Sequence, residues 1–489
     1  MKRLLLIFGL LSVFSLSGCG LFGRYDAPAP QNQPAGPPAP VVVDGTRTSY
    51  ADVVQRTAPA VVRIEAESKN RQSQLPGTQP EDDFFRQFRI PRQNQPRVER
   101  GMGSGVIVSA DGTILTNNHV VDGADRITVR LADNKEFEAK LVGSDQPSDL
   151  AVLKIEAQNM PFLTLGNSDQ VRVGDIVLAI GNPLGIGQSV TAGIISAKGR
   201  RTGLSDGSFE DFLQTDAPIN RGNSGGALVN LTGELIGVNS QILAGGSGGN
   251  IGIGFAIPSN MARSVMQQLV ENGRVRRGRL GVGIQNLTSE LAREFKISEQ
   301  SGVLINEVQP NSAAAKAGVQ RGDVITAIDG ERIEDSNVLR NKIAGTVPGT
   351  EIRLTLLRDG NQIEVKAKLD ELETENAANP NRDQSNQNGE NNPQNQSGKL
   401  GLSLQPVTPE MAKRLNLASG AEGLVVTDVN QSGPAAEAGI ARGDVILEIN
   451  RQPVGSIDAV QAALNASGNN PILVLISRGG RTVYLTVRQ

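Results

Sequence analysis

The chain is almost without histidine and cysteine: 489 residues contain one of each. A lone cysteine cannot close an intrachain disulfide. One histidine and one cysteine cannot supply the three or four protein ligands of a zinc site. Any chemistry that needs an imidazole has one place to find it, His119. Aromatic residues make up only 3% of the chain. No Gly-x-x-x-x-Gly-Lys-Ser/Thr phosphate loop is present, so ATP-driven chemistry has no cradle. The formal charge of −3, with no basic block, gives no electrostatic footprint for nucleic acid. The expectation is a protein with no metal, no cofactor and no nucleic-acid partner.

What is present is length and glycine. At roughly 150 residues per domain the chain should hold about three domains. Its 56 glycines and 38% hydrophobic content favour turn-rich β architecture with packed cores. At the N-terminus, Lys2-Arg3 precede an apolar run from Leu4 to Leu16 that is too short to span a bilayer comfortably. Residues 1–18 read as a targeting segment. Leu16-Ser17-Gly18-Cys19 resembles the lipobox of bacterial lipoproteins, where the peptide is cut before the cysteine and the thiol is acylated. The plainer reading is a secretory signal with a chance cysteine; the only Cys falling here weighs against it. Gly20, in place of an Asp, fits an outer-membrane anchor. Residues 19–48, rich in Pro, Ala and Gln, read as an extended tether.

From residue 49 to 272 the pattern is short apolar runs broken by Gly, Asn and Asp, such as Gly105-Val106-Ile107-Val108 and Arg126-Ile127-Thr128-Val129-Arg130-Leu131. Many short strands with turns between them predict a sandwich or barrel. A polar insert over residues 69–99 carries Asp82-Asp83-Phe84-Phe85-Arg86-Gln87-Phe88 and reads as a mobile surface loop with an aromatic plug. Met261, Val265, Met266, Leu269 and Val270 fall at helix spacing over Ser259 to Glu271, with Gly273 as the stop. An internal repeat follows. Gly278-Arg279-Leu280-Gly281-Val282 returns as Gly398-Lys399-Leu400-Gly401-Leu402, and the Arg-Gly-Asp-Val-Ile at Arg321 returns at Arg442, at offsets of 120 and 121 residues. The copies occupy 273–370 and 398–489. Between them, residues 371–397 form an Asn/Gln/Glu stretch that reads as disordered linker.

Gly222-Asn223-Ser224-Gly225-Gly226 could be an ordinary tight turn. The chemical reading is sharper. A serine hydroxyl needs a base to remove its proton, and flanking glycines let backbone N–H groups converge into an oxyanion hole. The hole would be Gly222, Asn223 and Ser224, with Gly222 and Ser224 as donors. The base must be His119, at a strand end in Thr116-Asn117-Asn118-His119-Val120. The carboxylate that orients it is expected at Asp149, where a loop enters the apolar Leu150-Ala151-Val152-Leu153. The order His, Asp, Ser is that of the chymotrypsin class. The spacing suits one barrel carrying His119 and Asp149 and a second carrying Ser224.

These motifs, with Gln214-Thr215-Asp216-Ala217-Pro218-Ile219-Asn220-Arg221 before the serine turn and Gly252-Ile253-Gly254-Phe255-Ala256-Ile257-Pro258 after it, resemble the HtrA/Do family of bacterial serine endoproteases, close to its DegP/DegQ type. The resemblance implies a mainly β protein: a chymotrypsin-like double barrel followed by two PDZ domains. It implies an ATP-independent endoprotease that degrades misfolded or unfolded envelope proteins in the periplasm of a Gram-negative bacterium, here lipid-anchored through Cys19. It implies homotrimers or multiples of them. Ser240, Gln241, Ile242, Leu243 and Ala244 would border the specificity pocket, made small and apolar by Ile242. Arg200, with Arg201 beside it, would be the loop arginine relaying PDZ occupancy to the active site. Leu280, Gly281, Val282, Gly283 and Ile284 would bind a peptide's C-terminal carboxylate through backbone N–H groups, the peptide adding as an extra strand. The insert at 69–99 is short for the longest-looped members, which leaves cage size open. A non-proteolytic chaperone or scaffold, and a regulatory protease cutting one membrane partner, are the competing readings.

Overall fold

The computed structural model describes residues 42–43, 46–68, 99–183, 187–202, 209–220, 222–244, 249–297, 301–373, 399–415, 417, 422–468 and 470–488. Cys19, most of the tether, the polar insert through residue 98 and the linker from 374 to 398 lie outside them. Within the tether, Val42–Val43 pairs antiparallel with Thr46–Arg47.

The alternating and continuous apolar runs close into two barrels. The first is built from β1 (Val61–Ser68), β2 (Glu99–Ser109), β3 (Thr113–Thr116), β4 (Arg126–Arg130), β5 (Glu136–Asp145) and β6 (Leu150–Ile155). Its strands lie in the order β1-β2-β3-β6-β5-β4, and β4 pairs back with β1. The second uses β7 (Ile176–Gly181), β8 (Ser189–Arg200), β9 (Phe212–Thr215), β10 (Ala227–Asn230), β11 (Leu235–Ala244) and β12 (Asn250–Pro258), in the order β8-β9-β12-β11-β10-β7, closed by β7 on β8. Closure leaves neither barrel with a free edge. Strand β6 is apolar except at Lys154, because Leu153 and Ile155 fill the first barrel while Leu150 and Val152 face the seam between barrels. That seam also takes Leu115 from β3, and Phe212, Val238, Phe255 and Ile257 from the second barrel.

The helix Ser259–Asn272 lies over the seam. It buries Ala262, Val265 and Leu269, with Met261 and Met266 partly covered, and ends on Gly273. Val270, counted from its spacing as part of the apolar face, is 55% exposed, and Ala262 takes its place. Consecutive positions such as Leu269 and Val270 stand about 100° apart on a helix, so only one of them faces the core.

Each C-terminal repeat folds into a sheet of its own. In the first, Val282–Asn286 pairs with Val303–Val308, and Val324–Ile328 lies between that strand and Glu351–Arg358. The second reproduces the order with Leu402–Pro406, Leu424–Val429, Val445–Ile449 and Ile472–Arg478. The repeated Arg-Gly-Asp motif explains itself here. Asp323 and Asp444 are both buried, each gripped by two guanidinium nitrogens of one arginine, Arg358 or Arg478. The first repeat ends later than composition predicts. Glu371 pairs in a two-residue strand with Gly278 and bonds Arg276 at 2.7 Å, so the first linker residues belong to folded chain. The repeats meet where Leu287, Leu291 and Phe295, on and around the helix Ser289–Glu294, together with Leu304 and Val324 of the first sheet, pack on Leu473, Leu475 and Tyr484 of the second.

The first repeat also docks on the protease barrels. Asn337 and Asn341, one turn apart on the helix Ser336–Gly345, both donate to the Glu210 carbonyl, at 3.0 and 2.8 Å. Next to it, burial and then the Asp169 carboxylate push Asp211 up to about 6, with Asp335 at the start of the same helix adding and Lys198 opposing. The folded chain therefore holds this proton over a window, from about 4 to about 6, in which the unfolded chain has released it. Stability from this group is greatest at the acid end and falls as pH rises through the window. Asp211→Asn should raise the melting temperature at pH 7.5, with the gain closing toward pH 4. Calorimetry of both proteins across that range checks it; a gain that does not depend on pH would contradict the account.

Candidate active site

Asp149 is positioned first by its own turn. Asp145 caps the short turn Gln146–Ser148 by accepting the Ser148 N–H, and Asp149 leaves that turn in the left-handed region, at φ 54°. Its carbonyl accepts from the Asn118 N–H at 3.1 Å and from Asn117 Nδ2 at 3.0 Å. Its carboxylate accepts the His119 N–H at 3.1 Å, and its two oxygens lie 2.9 and 2.8 Å from His119 Nδ1. His119 stands in the one-turn helix Asn118–Val121 that follows β3 directly. A carboxylate at Nδ1 fixes the tautomer with its proton there, which makes Nε2 the basic atom of the neutral ring.

The serine turn comes from the other barrel, between β9 and β10. Gly222 takes φ 94°, open to glycine and costly for other residues. Gly225 is pressed so close to the first barrel that a Cβ on it would stand 2.2 Å from the Ser104 carbonyl oxygen. The Ser104 N–H donates to the Ser224 carbonyl at 2.8 Å. A Cβ on Gly103 would meet both methyls of Val120 at 2.7 Å and the Ser224 carbonyl at 3.2 Å. The residue after His119 and the nucleophile turn thus close on the same glycine. The Asn223 N–H is spent on the Asn220 carbonyl at 3.0 Å, so of the three residues expected around the oxyanion it offers no donor. Among the described residues no hydrogen bond engages the N–H of Gly222 or Ser224. A hydroxyl, a carboxylate-backed imidazole and two uncommitted N–H groups are the parts list of acyl transfer.

Ser240 is where sequence and structure differ most usefully. Expected at the pocket border, it is buried in β11 and donates its hydroxyl to Asp149 Oδ2 at 2.9 Å, so both barrels hold the same carboxylate. A serine inside an alternating strand carries no signal of that task. Farther along β11, Gln241 bonds Thr202 Oγ1, Ile242 is buried among Ile219 and Val177, and Leu243 is exposed; Ala244 ends the strand. Arg200, expected in a loop, is the last residue of β8, because its backbone pairs with Phe212; its Nε donates to Gln214 Oε1 at 3.1 Å. Arg201 follows it, exposed.

In the first repeat, Leu280 is core and Gly281 takes φ 77°, with the Ser312 Cβ 2.3 Å from where its own would be. Among the described residues the N–H groups of Leu280 and Gly281 carry no hydrogen bond. Val282, Gly283 and Ile284 begin the outer strand of the sheet. Sequence reading also missed Arg277. It grips Asp145 with both terminal nitrogens, at 2.7 and 2.5 Å, with each side chain 6% exposed, and stacks over the Phe209 ring.

Comparison with known proteins gives the same architecture. Residues 103–238 match the trypsin-like peptidase domain family, and residues 278–369 and 425–478 match PDZ domain families. The periplasmic pH-dependent serine endoprotease DegQ of Escherichia coli is 40% identical, over 92% of this chain and 94% of that protein. The periplasmic serine endoprotease DegP of the same organism is 41% identical, over 90% of this chain and 92% of that one. The chain belongs to the HtrA family of serine endoproteases. Among solved structures, the HtrA-type protease AlgW with a tripeptide is 44% identical and covers 67% of this chain and 99% of its own, with a TM-score of 0.55. The protease is accordingly a serine endopeptidase: a trypsin-like double barrel followed by PDZ domains, acting on protein substrates.

Proposed function

We propose that His119, Asp149 and Ser224 are the catalytic triad of a periplasmic, ATP-independent endoprotease for misfolded or unfolded envelope proteins. The observation that supports this is the junction of the barrels: the only histidine of the chain is paired to Asp149, and its neighbour Val120 closes on Gly103 together with the Ser224 carbonyl. Ser224 Oγ attacks the scissile carbonyl while His119 takes its proton. The oxyanion is received by the N–H groups of Gly222 and Ser224. His119 then protonates the leaving amine, and water releases the acyl group by the same path reversed. Ile242, with its neighbours on β11, favours small aliphatic side chains at the cut. The domain limits follow the sequence reading, except that Glu371 joins the first PDZ domain. Ser224→Ala should abolish cleavage of unfolded casein while the protein stays folded. Residual turnover near the roughly 10³–10⁴ over water left by oxyanion binding alone fits; turnover within about tenfold of native refutes the triad.

The first PDZ domain is both tether and activator. A substrate's C-terminus binds at Leu280 to Ile284, which raises the local concentration of the rest of the chain at Ser224. The relay is supported by the bridge already described. The PDZ helix holds the Glu210 carbonyl, and the Glu210 carboxylate holds Thr202, two residues beyond Arg200. A free peptide ending in an aliphatic carboxylate should stimulate cleavage of a short reporter that reaches only the active site. The stimulation should vanish when residues 278–370 are deleted. If the peptide does nothing to the native protein, the PDZ domain is only a tether.

The protease is anchored to a membrane through acylated Cys19 and assembles as homotrimers or multiples of them. Cys19→Ala should move it from the membrane to the soluble periplasmic fraction with its peptidase activity unchanged. Fractionation with a fatty-acid label checks the anchor, and sedimentation of the soluble form gives the assembly. A native protein that is unlabelled and fully soluble would defeat the anchor, and a monomer would defeat the trimer.

A further inference from the structure

Ser104, in β2 of the first barrel, has no solvent exposure and makes more contacts with the serine turn than its place in a glycine-rich strand suggests. Its N–H donates to the Ser224 carbonyl at 2.8 Å. Its carbonyl accepts the Thr116 hydroxyl at 2.7 Å. Its own hydroxyl accepts the Asn182 N–H at 2.8 Å, just beyond β7, and donates to the Gly222 carbonyl at 2.5 Å. A hydroxyl has a single proton. Because the Asn182 N–H occupies a lone pair, that proton goes to Gly222.

The consequence falls on the oxyanion site. The peptide unit between Gly222 and Asn223 is held at both ends, its carbonyl by Ser104 and its N–H by the Asn220 carbonyl. The two N–H groups assigned above to the oxyanion belong to the peptide units on either side of it. A glycine at φ 94° has no Cβ to resist rotation, so local sterics alone do not fix this unit. Released from Ser104, the Gly222 carbonyl could turn, and an acceptor turned toward the hole repels the charge that develops there. Resting on the triad reading, we propose that the Ser104 hydroxyl is a positioning residue for the oxyanion hole. It holds the Gly222 carbonyl on the first barrel, so that the Gly222 and Ser224 N–H groups keep their aim at the transition state.

The test uses the full-length protein, a short chromogenic peptide and a peptidyl trifluoromethyl ketone, whose adduct with Ser224 carries an oxyanion. Ser104→Ala should lower kcat about 10²- to 10³-fold, the range for losing one oxyanion donor, and leave KM within about twofold. Inhibition by the ketone should weaken in proportion to the fall in kcat/KM, while binding of the unreactive parent amide is unchanged. A merely structural serine would not link those quantities. Ser104→Cys, close in shape and a weaker donor, should fall between the two, and decides the matter if the alanine variant does not fold. A folded variant with native kcat, or a loss confined to KM, overturns the proposal. Ser224→Ala run alongside separates the readings. If it is inactive while the Ser104 variants are native, only the positioning role fails. If it is active, the triad fails.

Discussion

The Asp149 carboxylate is the point on which both barrels converge. A buried or half-buried carboxylate that orients an imidazole must be satisfied on every side, or its charge costs more than its pairing returns. The chain meets this from two directions. The first barrel supplies the His119 backbone and ring, and the second supplies the Ser240 hydroxyl. The left-handed backbone at Asp149 is what lets one residue face both, since it turns the chain out of the capped turn and straight into β6. The geometry of the proposed triad is therefore a property of the barrel interface, and the apolar seam of Leu115, Leu150, Phe212 and Phe255 is its mechanical support.

That turn also touches the entrance to the PDZ domain. Asp145, which caps it, is the buried partner of Arg277, at the entrance to the first repeat. The pair is fully furnished: two guanidinium contacts, a stacked Phe209 ring, and the Ser148 N–H and hydroxyl on the same carboxylate. Removing one partner of such a pair leaves an uncompensated buried charge, at a cost of about 3–5 kcal/mol. The cost would fall four residues from Asp149. This contact ties the entrance of the PDZ domain to the turn that carries Asp149.

Much of the fold was legible in the sequence. Period-two strands broken by Gly, Asn and Asp could only make sheets, and the offset repeat announced two copies of one unit. His119 could be singled out because scarcity did the work: with one histidine, the search for a base ends immediately. The harder residues were those whose task is visible only across the barrel interface. Ser104 and Ser240 are serines in ordinary strands, and nothing local separates them from a solvated hydroxyl. Arg277 sits among Arg274, Arg276 and Arg279, and a cluster of basic residues gives no hint that one of them is buried.

The repeat teaches the converse. Its most recognisable motif, the Arg-Gly-Asp-Val-Ile shared by both copies, invites a binding role because it is polar and recurs. In both copies the aspartate is a buried ion-pair partner that closes the end of the sheet onto the Arg358 or Arg478 strand. What recurs most strongly is the part that keeps each unit folded. The part proposed to face the ligand, Leu280-Gly281-Val282 against Leu400-Gly401-Leu402, keeps its leucine and its glycine turn and varies the third apolar residue, as expected if backbone N–H groups perform the recognition. On that proposal the repeats share a core and a mode of binding while differing in what they select, since the flanking side chains are free to change where the buried carboxylates are not.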